Sequence, residues 1–217
     1  MKRILTLLFA FSLTLAAFAQ TPEEIVTKME ETRAQLQKGD SYVVALEAKY
    51  PIIGKVTNKT WSRGNKVRFE LEMLKHKGIS YTDGKTEWIY SPEKNEVKIQ
   101  RSGSGKKSAG ASVVEQFADF DGNSAFENIV DGYDISLDKE TATAWYLHCK
   151  RKKSNKEKDA PKTMDLVIAK GSYRLLSQSV KILGVSFRMY DFGYNVTEKQ
   201  VTFDPADYPG VTIIDER

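Results

Sequence analysis

The side chains that do most enzymatic chemistry are few and scattered in this sequence. It has two histidines, His76 and His148, and one cysteine, Cys149. The histidines lack the i, i+2 or i, i+4 spacing that brings two imidazoles onto one zinc ion. His76 falls in a basic turn, Lys75-His76-Lys77-Gly78, and His148 in the strand-like run Trp145 to Cys149, so both read as structural. Cys149 has no partner for an internal disulfide, and its apolar neighbours suit a buried, inert thiol. There is no Gly-x-Ser-x-Gly elbow, phosphate loop or dinucleotide fingerprint. Ser102-Gly103-Ser104-Gly105 reflects a lysine-rich loop composition and not a phosphate cradle. The acidic pairs Glu30 with Glu31 and Asp119 with Asp121 read as surface charge. The expectation is therefore a protein that is not an enzyme, with no metal and no cofactor.

Aromatic and flexible apolar side chains at strand spacing are abundant instead. Val67, Phe69, Leu71 and Met73 alternate with Lys66, Arg68, Glu70 and Glu72, the period of a strand with one apolar and one wet face. Trp88 and Tyr90 share a face two residues apart, as do Phe187 and Met189, and Phe117 and Phe120 fall in a helical stretch. Gathered on a curled sheet, these ten residues predict the wall of a hollow that holds an apolar ligand such as an acyl chain. Whether Trp88 and Tyr90 touch that ligand or brace the sheet behind it is open at this stage, because both faces of Glu87-Trp88-Ile89-Tyr90 are partly apolar.

The elements that must position this wall are legible from turn and cap signals. Thr21, Pro22 and Glu24 form a helix start with a capping box, Ile25, Val26, Met29 and Leu36 form its stripe, and Gly39 ends it. Strands follow from Tyr42, Lys55 and Lys66, and three more flank the turns Asp83-Gly84 and Ser91 to Asn95. Ser112 with Glu115 and Ser124 with Glu127 open two short helices carrying Phe117, Phe120, Phe126, Ile129 and Val130. Strands resume over 133–137, 141–152, 163–169, 174–182 and 185–196. The basic run 150–162 reads as a solvated hairpin tip. The fold class is mainly β with α: an incomplete, half-open antiparallel barrel of about eleven strands, with an N-terminal helix and short lid helices over its concave face.

Residues 1–19 read as a cleaved signal peptide: Lys2 and Arg3, an apolar run from Ile4 to Phe18 too short to span a bilayer, then Ala17-Phe18-Ala19. No cysteine stands at the cleavage point, so the remainder, 20–217, is expected as one periplasmic domain without a lipid anchor. Removing Lys2 and Arg3 from the 33 Lys and Arg leaves 31 against 29 Asp and Glu. That balance excludes nucleic acid as a partner and leaves a transient contact with an anionic membrane.

Residues 83–92, Asp-Gly-Lys-Thr-Glu-Trp-Ile-Tyr-Ser-Pro, resemble a segment of the outer-membrane lipoprotein carrier (LolA) family, and residues 203–217 resemble that family's ending. The leader, the helix after it and the strand around Lys66 to Met73 fall in matching order. The resemblance implies a periplasmic chaperone that takes acylated lipoproteins from an inner-membrane transporter and passes them, as a monomer, to an outer-membrane acceptor. It also implies that Arg63 bonds to lid backbone and latches the empty cavity, although Gly64 stands where the family has proline. Two other classes are open on this sequence: an envelope-stress sensor or regulatory binding module, and a general lipid or glycolipid carrier.

Overall fold

The computed structural model describes residues 20–37, 39–52, 54–103, 128–157 and 160–217. Helix α1, Pro22–Leu36, starts as its sequence dictates. Thr21 Oγ1 accepts from the Glu24 N–H at 3.2 Å, and Glu24 Oε2 accepts from the Thr21 N–H at 3.1 Å. Six strands follow as a meander: β1 Ser41–Tyr50, β2 Gly54–Arg63, β3 Lys66–Met73, β4 His76–Thr82, β5 Thr86–Ser91 and β6 Glu96–Arg101. After a one-turn helix α2, Ile129–Gly132, a second meander runs through β7 Tyr133–Glu140, β8 Ala144–Arg151, β9 Thr163–Ala169, β10 Leu175–Ile182 and β11 Val185–Gly193. A short helix α3, Glu198–Val201, a 3-10 turn at Pro205–Asp207 and strand β12, Thr212–Asp215, complete the described chain.

All twelve strands belong to one open sheet, ordered β12-β6-β5-β4-β3-β2-β1-β11-β10-β9-β8-β7. The expected half-open barrel is thus present, with one strand more than predicted. The two meanders join where β1 pairs with β11, Leu46 opposite Met189 and Ala48 opposite Phe187. The added strand departs from the antiparallel expectation, because β12 runs parallel to β6 with Thr212 opposite Glu96. The chain after β11 crosses the back of the sheet and reaches β6 from its far side, a non-local connection that local periodicity does not encode.

Two cores lie on the two faces. On the inner face, Ile25, Val26 and Met29 of α1 pack with Leu147, Cys149, Met164, Leu166, Ile168 and Met189. Burial pushes the Cys149 thiol up to about 12, so the inert thiol expected from the sequence is found. Glu30 of α1 accepts the Ile129 N–H at 2.8 Å and ties α2 to this core. On the outer face, Phe203 lies 5.8 Å from the Tyr81 ring and 6.0 Å from Trp88, and Tyr208 lies 4.4 Å from Tyr90. The Tyr81 and Tyr208 hydroxyls share a hydrogen bond of 2.7 Å, and Val97 beneath them is fully buried.

Two predictions follow from these cores. Phe203→Ala removes the ring shared by three aromatic neighbours, and is expected to cost about 2–3 kcal/mol in urea unfolding while accelerating amide exchange in β12. Glu30 is half-buried, and its burial, reinforced by Asp131 and opposed by the Ile129 N–H and Arg33, raises its carboxyl above the ordinary 4.5. Folding therefore favours the protonated form, a contribution present below the unfolded value and lost as pH rises through the folded one. Glu30→Gln is expected to flatten that loss, raising the melting midpoint at pH 7 relative to wild type and not at pH 4.

Candidate apolar binding face

Register places the predicted wall residues without ambiguity. Across the junction, Met189 faces Leu46, Leu46 faces Asn58 and Asn58 faces Leu71; one step along, Phe187, Ala48, Val56 and Met73 form a parallel row. Opposite residues in a pleated sheet project to the same side. Val67, Phe69, Leu71, Met73, Phe187 and Met189 therefore share the inner face. Phe187 and Met189 pack in or against the α1 core, whereas the four β3 side chains are half-buried and outside it. Among the described residues, no helix packs on the inner face of β3.

Trp88 and Tyr90 lie on the other side. Phe69 faces Ser80 and Ser80 faces Ile89, so Ile89 belongs to the inner face, while Trp88 faces Tyr81 on the outer one. The two rings stack on Phe203 and Tyr208 and brace the sheet from the face opposite Val67, Phe69, Leu71 and Met73. The reason is a partner that the local pattern does not announce, a C-terminal segment that covers the outer face of β4–β6. Phe117 and Phe120 lie outside the described residues.

Arg63 also belongs to the outer face. Its guanidinium donates to the Val196 carbonyl at 2.9 Å and lies 3.5 Å from the Glu198 carboxylate, which Lys66 also engages. It thus bonds backbone as the resemblance implies, but its described partners are on the C-terminal segment. Next to it, Trp61, Arg68, Tyr81 and Trp88 form one cross-strand row, with the Arg68 guanidinium 4.8 Å from the Trp61 ring and 5.4 Å from Tyr81. Sequence reasoning missed this cation-π row, although its two-residue spacing in β2 and β3 carried the signal.

The inner face also holds a polar side chain that sequence reasoning missed. Gln178, facing Leu166 and Met189, is 1% exposed; its Nε2 donates to Met164 Sδ at 3.4 Å and its Oε1 has no partner among the described residues. At the strand ends beside the C-terminus of α1 is a cleft of about 550 Å³, lined by Gln37, Asp40, Tyr42, Ser62 and Gly64 among others. Ser62 is the cross-strand partner of Val67, so this polar mouth adjoins the apolar strip. A second cleft, of about 330 Å³, lies mostly over outer-face residues such as Thr57, Lys59 and Glu70. On the exposed surface, His148 Nδ1 lies 2.7 Å from Asp165, and Asp138 brings a third donor within 4.8 Å.

Among the described residues, the strip on β3 presents the apolar side chains of Val67, Phe69, Leu71 and Met73 in line along one strand. Gln178→Met, which removes the orphaned acceptor at nearly equal volume, is expected to raise stability by about 1 kcal/mol in denaturant titration.

No protein-family model matches this chain, and no curated protein does either. Among solved structures it is similar to LprF from Mycobacterium bovis, at 9% identity over 83% of this chain and 96% of that one, with a TM-score of 0.52. An uncharacterized conserved protein from Thermus thermophilus aligns at 14% identity over 91% of this chain and 100% of that one, with a TM-score of 0.39. A LolA superfamily protein from Nitrosomonas europaea aligns at 14% identity over 86% and 99%, with a TM-score of 0.29. Of these three, only LprF superposes closely enough to establish a shared fold.

Proposed function

We propose that this protein is an exported carrier that shields the acyl chains of lipoproteins between the inner and outer membranes, with no catalytic activity of its own. The observation that carries this reading is the half-buried strip Val67, Phe69, Leu71 and Met73 on the inner face of a sheet whose other half is fully packed beneath α1. Among the described residues no element packs on this strip, which suits a site that must remain available until its ligand arrives. The polar mouth at Asp40, Tyr42 and Ser62 suits the glyceryl and peptide end of an acylated cargo, with the chain lying along β3.

The physical need for such a carrier is plain. At about 0.8 kcal/mol per methylene, exposing one long acyl chain to water costs on the order of 10 kcal/mol, so unassisted transfer across an aqueous compartment is negligibly slow. Export through the leader at 1–19, a periplasmic location, delivery from an inner-membrane transporter and hand-over to an outer-membrane acceptor complete the reading. The resemblance at 83–92 and 203–217 supports it, and so does the fold shared with LprF.

Phe69→Glu tests it directly. Because Phe69 is only half-buried, the charge is expected to leave the melting midpoint within a few degrees of wild type. Uptake of a fluorescent diacylated peptide is expected to fall at least about tenfold, since one buried aromatic contributes roughly 1.5–3 kcal/mol to such contacts. Undiminished uptake by this variant would sink the assignment of the strip.

A further inference from the structure

The two ends of the strands carry turns of opposite character. One continuous row runs through Cys149, Met164, Val180, Phe187, Ala48, Val56, Met73 and His76, each residue opposite the next. Just beyond this row, on one side of it, lie the hairpin-tip residues 183–184, 51–52 and 74–75, together with residues 152–157 after β8. At the opposite rim the turns are conventional and polar, such as Gly64-Asn65 and Asp83-Gly84-Lys85.

The three neighbouring tips are aliphatic and stand free: Leu183 is 100% exposed, Ile52 97% and Leu74 65%. Leu74 and Leu183 adopt φ of 57° and 49°. This left-handed conformation is disfavoured for leucine and routine for glycine or asparagine. Two leucines thus occupy positions that neither solvent nor backbone favours, and strain kept at an exposed site points to function. The charge around them agrees. The described residues of 49–55, 72–77, 91–96, 150–162 and 181–186 hold twelve Lys and Arg against four Asp and Glu, whereas the whole chain carries only +4. Hairpins in consecutive places along the sheet put their tips about 10 Å apart, a spacing that lets all three reach one plane.

We infer that this rim docks on an anionic lipid bilayer, with Ile52, Leu74 and Leu183 inserted at headgroup depth and the surrounding lysines facing acidic lipids. Aliphatic side chains ringed by lysine match the two-part chemistry of that surface, apolar below and negative above. Leu74 directly follows Met73, the last residue of the apolar strip. On the carrier reading, the rim therefore brings the end of the strip to the membrane.

The test is co-sedimentation of the processed, purified protein with vesicles of phosphatidylethanolamine and phosphatidylglycerol, beside vesicles of phosphatidylcholine alone. Wild type is expected to bind the anionic vesicles, to release with salt, and to bind the neutral ones weakly. Leu74→Asn/Leu183→Asn relieves the backbone strain, so its melting midpoint is expected to hold or rise while vesicle affinity drops at least about tenfold. Ile52→Asn, at a site without that strain, provides the same readout if the double variant misfolds. Failure of wild type to bind anionic vesicles, equal binding to neutral ones, or undiminished binding by the variants would overturn the inference. Acylated-peptide uptake in vesicle-free buffer is measured separately, so loss of docking with uptake intact is distinct from failure of the carrier reading.

Discussion

The pairing of β1 with β11 is the constraint on which the molecule depends. It joins two meanders that are otherwise separate sheets, and it sets a common phase for side chains on both. Because strand side chains alternate with period two, a slip of one residue at this junction would turn Val67, Phe69, Leu71 and Met73 away from the side on which α1 packs. The apolar stripe of α1, the buried Met189 and the open strip of β3 make one continuous inner surface only in the register observed.

That surface is divided unequally. Over β7–β11, α1 closes a dense core that includes Cys149 and Leu166. Over β3 the same face is left half-open, and rigidity there comes from the reverse side, where Phe203 and Tyr208 stack on Tyr81, Trp88 and Tyr90. Among the described residues, the bracing of this half thus lies behind the sheet. The ion pairs of Arg63 and Lys66 with Glu198 hold the bracing segment at the strand ends, though as exposed pairs they contribute little each.

Much of this was legible in the sequence where a signal was local. The capping box at Thr21, the alternation from Lys66 to Met73 and the turn at Gly84 all stand where composition and spacing predict them. Cys149 is the buried thiol that its neighbours suggested. What escaped was non-local. Glu87-Trp88-Ile89-Tyr90 has apolar groups on both faces, so nothing within it says that Trp88 meets Phe203, more than a hundred residues away, or that Ile89 faces inward. Likewise Leu74 directly follows Met73 as a further apolar residue, and only the pairing of Met73 with His76 reveals it as the tip of a turn.

The parallel seat of β12 beside β6 carries a consequence for biogenesis. Thr212 must find Glu96, and until it does β6 presents an unpaired edge. A chain is made amino end first, so this edge stands bare until the last residues are added, together with the aromatic patch around Trp88. Completion of the sheet is then a late event of high contact order, and slow for that reason. The interval is a window in which a chaperone has something to recognise and a protease something to cut, and the arrival of residues 212–215 closes it.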